Sequence, residues 1–158
     1  MTDHPIITQN NSHELLIDDR IAHVIKGVTN IMVRSLQKKL NDYDVPFSHW
    51  AILRILWHQD GMSQRELSAK AGVMEPTTAN IVLQMEVRGH IIRRHLGSNK
   101  RKRHVFLTTQ GKKLEHQLVP LAEDVNKVAT RGISKKDLKL LRSTLTKMIR
   151  NLDDRSQE

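Results

Sequence analysis

The chain has 158 residues and no cysteine, a length that suits one compact domain or one domain with helical extensions. It has no disulfide framework, thiolate metal site or thiol-based oxidant sensor, and with five aromatic residues its core has to be built from Leu, Ile, Val and Met, which suits helices. Its 26 Lys and Arg exceed its 17 Asp and Glu by nine, and the window between Glu86 and Glu115 holds nine basic and no acidic residues, leaving the rest balanced.

Residues 1–12 read as a flexible tail, polar and without the basic-then-apolar order of a secretory leader. No apolar run approaches the ~20 residues needed to cross a bilayer, so a cytoplasmic protein with no membrane partner is expected. From Ile17 through Ile21, Val24, Ile25, Val28, Ile31, Met32, Leu36 and Leu40, apolar residues recur at steps of three and four, which predicts an amphipathic helix. Asn41 to Asp44 and Pro46 end it. Ser48 is positioned to cap a second helix, apolar through Trp50, Ile52, Leu53, Ile55, Leu56 and Trp57 and ending near Asp60-Gly61.

Ser63-Gln64-Arg65-Glu66 has the Ser-x-x-Glu form of a capping box, opening a short helix that Gly72 terminates. Pro76 lies in the first turn of the next helix, where its missing N–H costs nothing, and Gly89 closes that helix. Ile91-Ile92 and Val105-Phe106-Leu107 are short β-prone pieces around the turn cluster Gly97-Ser98-Asn99, which predicts a two-stranded hairpin with a basic tip. Thr108 or Thr109 then starts a long helix that Pro120 is expected to kink and Gly132 ends. Ser134 and Asp137 open a last helix carrying Leu138, Leu141, Leu145, Met148, Ile149 and Leu152.

Two short helices joined by a Gly-containing turn and followed by a charged hairpin form a winged helix-turn-helix, whose second helix enters the major groove of DNA. The basic window fits this, because each neutralised phosphate releases counterions. With Thr78, Ile81, Val82 and Met85 turned inward, the outward positions of the helix from Pro76 to Arg88 are Thr77, Ala79, Asn80, Leu83 and Gln84, and the expected DNA contacts on this helix are Thr77, Thr78, Ala79, Asn80 and Gln84. Asn and Gln can each pair with adenine through two hydrogen bonds, and Thr or Ala can meet a thymine methyl, so an A·T-leaning site is expected. Ser63 and Gln64, at a helix N-terminus, are placed to donate to phosphates. Lys100, Arg101, Lys102 and Arg103 alternate sides along the hairpin tip, some tracking phosphates and others reaching a narrow minor groove.

The order and spacing of these segments resemble the MarR family of bacterial transcription regulators. The resemblance rests on Ser48-His49-Trp50, Ser63-Gln64-Arg65-Glu66-Leu67, Glu75-Pro76-Thr77-Thr78, Gly89-His90-Ile91-Ile92-Arg93-Arg94 and Leu107-Thr108-Thr109-Gln110-Gly111. It implies a mainly α protein with a small β-hairpin wing: an N-terminal dimerisation helix (13–44), a DNA-binding lobe (45–111) and C-terminal dimerisation helices (112–158). It further implies a homodimeric repressor on a pseudo-palindrome, released by a small aromatic carboxylate or its CoA thioester. Arg20, His23 and Ile31 of the first helix and His49, Trp50 and Leu53 of the second would line the effector crevice. The chain departs from the family in its wing, where Asn99-Lys100-Arg101 replaces the usual Asp-x-Arg, leaving Arg101 without an ionic partner to steer it.

A nonspecific, nucleoid-type binder using the same basic strip is the alternative. An enzyme is not expected, since no Gly-rich phosphate loop, zinc-protease helix or nucleophile elbow is present. His90, His95 and His104 flank or occupy the wing strands without a recognised ligand spacing, so neither a metal nor a cofactor is expected.

Overall fold

A computed structural model describes residues 20–96 and 103–153. In chain order it contains α1 (Ile21–Leu40), a 3-10 turn (Asn41–Tyr43), α2 (Phe47–His58), β1 (Met62–Ser63), α3 (Gln64–Ala71) and α4 (Glu75–Val87). Then come β2 (Ile91–His95), β3 (Arg103–Leu107), α5 (Thr109–Ala129) and α6 (Lys135–Asp153). The chain divides into two compact units, one up to Ala122 and one from Glu123 onward.

In the first unit the core is aliphatic, as the scarcity of aromatic residues requires. Leu40, Val45, Ile52, Leu53, Leu56, Leu67, Val82, Met85, Ile91, Val105 and Leu118 are fully buried. The apolar stripe of α1 splits in two: Leu36 and Leu40 join this core, whereas Ile21, Val24, Val28 and Ile31 stay exposed. Ile17 and the predicted tail lie outside the described residues.

The start of α2 differs from expectation. Pro46, not Ser48, is its N-cap, and Ser48 sits exposed inside the first turn. Proline brings a preset φ but no side-chain acceptor, and the Phe47 N–H is taken instead by Gln37 Oε1 of α1 at 2.6 Å. A cap supplied ten residues upstream leaves no local sequence signal. Further along α2, Trp50 and Trp57 meet edge to face, with ring centroids 5.5 Å apart, and the Trp57 indole N–H donates to the Gly111 carbonyl at 2.9 Å.

The wing has three strands rather than two, in the order β1-β3-β2, all antiparallel. β1 is two residues long, Met62 opposite Val105 and Ser63 opposite His104, too short to show an alternation. β2 pairs with β3 from Ile91↔Leu107 to His95↔Arg103. Asp60 Oδ1 fastens the open end of this sheet, accepting from the Gly61 and Leu107 amides at 3.0 and 2.9 Å.

The junction between wing and α5 is closely packed. Thr108 Oγ1 donates to the Gly89 carbonyl at 2.6 Å and accepts the Gly111 amide at 3.0 Å, so one hydroxyl both closes α4's turn and caps α5. Gly111 lies against the His90 carbonyl with no room for a Cβ.

In the second unit, Gly132 takes a left-handed φ of 80° and Ser134 caps α6, accepting from the Asp137 amide at 3.1 Å. The end of α5 and α6 enclose a cleft of about 600 Å³, with Leu138, Leu141 and Leu145 on its apolar side and Glu123, Lys127 and Arg142 among its polar lining. No described residue of α6 is buried, and Leu140, Leu141, Ile149 and Leu152 are largely exposed. No helix among the described residues is long and apolar enough to cross a membrane.

Candidate nucleic-acid interface

The helix-turn-helix pair is α3 and α4. Both halves of the predicted capping box are present: Ser63 Oγ accepts the Glu66 amide at 3.3 Å, and Glu66 Oε2 accepts the Ser63 amide at 2.8 Å. The Ser63 hydroxyl also donates to Glu66 Oε2 at 2.7 Å, so its proton is committed within the box and not directed at a phosphate. Gly72 supplies the left-handed turn, with φ 64°, and Ser68 donates across it to the Val73 carbonyl. Arg65 and Glu75 approach to 3.9 Å, joining the first turns of the two helices. Arg65 is a further exposed cation that the capping-box reading passed over.

On α4, Ile81, Val82 and Met85 are buried, as their spacing requires. Thr78 is buried with them, which removes it from the reading face: its Oγ1 is enclosed and has no hydrogen-bond partner. Steps of four and three group Thr78 with Val82 and Met85, so its position in the family motif reflects packing. Thr77, Asn80, Leu83, Gln84 and Val87 are exposed, and Ala79 is half-buried. Val87 is 81% exposed, an apolar side chain on the outer face that no local pattern singles out. Asn80 and Gln84 share a face, but Gln84 also reaches back, its Oε1 3.4 Å from Nε2 of the fully buried His49.

Two arginines of the basic window serve the lobe itself. Arg93, on β2, clasps Glu86 of α4: Nε and Nη2 meet Oε2 at 2.9 and 2.5 Å, and the Arg93 amide donates to Oε1 at 3.1 Å. The Arg93 hydrogen bond is the main reason the Glu86 carboxyl is held below the usual glutamate range. Arg88 binds Asp44, an ion pair at 2.8 Å plus a bond to the Asp44 carbonyl. Asp44 can receive it because it adopts the left-handed region, φ 54°, which aspartate tolerates. Arg94 and Arg103 on the strands and Lys112 and Lys113 on α5 are exposed. Lys100, Arg101 and Lys102, with the Asn99 departure, lie outside the described residues.

The predicted effector residues fall into two environments. Arg20, His23 and Ile31 are exposed, on or just before α1. His49, Trp50 and Leu53 are buried in α2. None of the six lines the cleft of the second unit. His49 and His90 both have lowered pKa values, chiefly through burial; nearby Arg88 acts in the same direction, and Asp44 opposes it. Among the described residues, no group of three or more His, Cys, Asp or Glu could hold a metal ion.

Comparison with known proteins agrees with this geometry. Residues 47–102, spanning α2 to the wing, match the MarR family. The chain is 30% identical over 113 residues to the HTH-type transcriptional regulator Hpr of Bacillus cytotoxicus, a match covering 71% of this chain and 59% of that protein. It is 28% identical over 113 residues to the transcriptional regulator HosA of Escherichia coli, covering 72% and 82% of the two chains. Among solved structures, MepR of S. aureus in complex with DNA is similar with a TM-score of 0.77 and 21% identity, covering 83% of this chain and 97% of that one. CouR of Rhodococcus jostii bound to p-coumaroyl-CoA is similar with a TM-score of 0.74 and 20% identity, covering 84% and 93%. With its capped α3, its amide-bearing α4 and the sheet behind them, the chain belongs to the MarR family of DNA-binding, winged-helix transcription regulators.

Proposed function

We propose that the protein is a cytoplasmic homodimeric repressor that holds an A·T-leaning pseudo-palindromic operator and leaves it when a small aromatic carboxylate or its CoA thioester binds. One observation carries the reading. α4 buries Thr78, Ile81, Val82 and Met85 while exposing Thr77, Asn80 and Gln84 beside strands that carry exposed Arg94 and Arg103. That is a helix built to present amide groups to base edges, next to cations for the flanking phosphates. Gln64 at the start of α3, half-buried Ala79 and the wing residues Lys100, Arg101, Lys102 and Arg103 complete the proposed contact set. Ser63 contributes by holding the positive end of α3 in place.

Dimerisation is supported by the exposed apolar stripes of α1 and α6, each of which needs a cover. Residues 13–44 and 112–158 are the proposed dimerisation segments, on either side of the 45–111 lobe. Release by an aromatic thioester is supported by CouR, solved with p-coumaroyl-CoA. The proposed crevice is lined by Arg20, His23, Ile31, His49, Trp50 and Leu53.

Footprinting across the DNA upstream of the protein's own gene, repeated with aromatic acids and their thioesters, tests the reading. A protected inverted repeat that is lost with one such compound is expected, and no protected repeat would count against an autoregulated operator. Titration against salt on operator and random duplexes separates the nonspecific alternative: a sequence-reading dimer keeps a gap of about 10³ or more, a nonspecific binder almost none. Arg101→Ala should weaken operator binding while the protein remains dimeric, read by gel shift alongside light scattering.

A further inference from the structure

His49 is an unusual occupant of a helical core. It is fully buried in α2, yet its Nε2 lies 3.4 Å from Oε1 of Gln84, a residue on the exposed face of α4. Its other ring nitrogen, Nδ1, is enclosed and has no partner. A neutral imidazole carries one proton, and the two nitrogens cannot both be donors. A proton on Nδ1 would leave a buried N–H donor unsatisfied, the costlier orphan. A proton on Nε2 makes a hydrogen bond to Gln84 and leaves only a lone pair enclosed. Burial also keeps the ring neutral at physiological pH.

This arrangement fixes which way the Gln84 amide faces. Pairing with adenine requires glutamine to accept from the N6 amino group while donating to N7. With Oε1 held inward by His49, Gln84 offers the groove its amino group alone. Such a donor suits base edges that only accept, namely guanine through O6 and N7 or thymine through O4, and it gives adenine no advantage. The two-bond adenine contact expected from the sequence is therefore confined to Asn80.

Building on the DNA-reading function above, we propose that His49 is a positioning residue for base recognition: it orients the Gln84 side chain so that one base pair in each half-site is read by donation alone. The test is selection from a randomised duplex library by the full chain, comparing wild type, His49→Phe, Gln84→Ala and the double variant. Phenylalanine keeps a planar ring in the buried site, slightly larger than imidazole, and removes the donor.

The wild type is expected to prefer guanine or thymine at one position per half-site. His49→Phe should move that position toward adenine by about fivefold or more, a change of the size one such pair provides. Gln84→Ala should erase the preference, and adding His49→Phe should then change nothing. If His49→Phe lowers affinity evenly at all positions, or if its shift persists without Gln84, the proposal is overturned. Failure of the wild type to select any sequence would instead overturn the DNA-reading function, and this inference with it. Should His49→Phe not fold, nitrogen-15 spectra of the wild type decide: a proton on Nε2 supports the proposal, and one on Nδ1 overturns it.

Discussion

At Gly111 the first turn of α5 presses on the His90 carbonyl so closely that a methyl group could be added only by moving backbone. Gly27, in the middle of α1, has nothing within 4 Å of where a Cβ would stand. These two glycines should respond in opposite ways to alanine. Gly111→Ala is expected to lower stability by about 1–3 kcal/mol through overpacking, and Gly27→Ala to raise it by about 0.5–1 kcal/mol through helix propensity. Urea denaturation of the two variants checks both. The buried histidines act at this scale too. His49 and His90 have lowered pKa values in the folded lobe, so the unfolded chain takes up their protons first as pH falls. The stability gained from keeping them neutral is thus present above about 6.5 and is lost as pH drops through their folded values. Glu86 adds a separate, lower window: its carboxyl is depressed by Arg93, so its contribution fades below the ordinary 4.5. Denaturation midpoints measured against pH should decline in two stages, and replacing Glu86 with Gln should remove only the more acidic one.

At the level of elements, the clasp between Arg93 and Glu86 joins β2 to the C-terminal half of α4 and fixes the wing beside the recognition helix. Because Glu86 already neutralises Arg93, Arg93→Gln should weaken the lobe by about 1.5–3 kcal/mol, the range for hydrogen bonds to charged groups, yet leave the salt dependence of DNA binding unchanged. Arg103 is exposed on β3, and Arg103→Gln should reduce the slope by about 0.9 for each phosphate it neutralises. Binding isotherms at several salt concentrations distinguish the two roles. The contrast also marks how far the sequence was readable. Spacing identified α1, α2, α3, α4, the paired wing strands, α5 and α6, because each depends on local periodicity, a cap or a terminating glycine. Local rules also found the capping box of Ser63 and the turn at Gly72. Features assembled from distant residues were not legible: Gln37 capping α2, Asp60 closing the sheet, β1 pairing with β3, and Arg88 bonded to Asp44 across 44 positions. In the sequence the basic window forms one block of charge, and only the folded chain separates the arginines that hold the lobe together from those that remain available. Thr78 shows the converse, a motif residue whose role is packing.

For the whole molecule, the exposed residues Ile21, Val24, Val28 and Ile31 on α1 and Leu141, Ile149 and Leu152 on α6 set the expected response to charge insertion. In the proposed dimer, Val28→Glu or Ile149→Glu should shift the population toward single chains in sedimentation and weaken operator binding, while the helix content of each chain is retained. Unaltered sedimentation in both variants would move the subunit contact elsewhere. The edge-to-face indoles of α2 lend themselves to observing such changes. The chain contains only these two tryptophans, one nearly buried and the other bonded to the carbonyl at the start of α5. Tryptophan emission therefore arises from a single helix at the centre of the lobe, with no label needed. A compound entering beside Trp50, or a rearrangement that parts Trp57 from Gly111, should alter its colour and intensity, giving an optical titration that could be followed in real time.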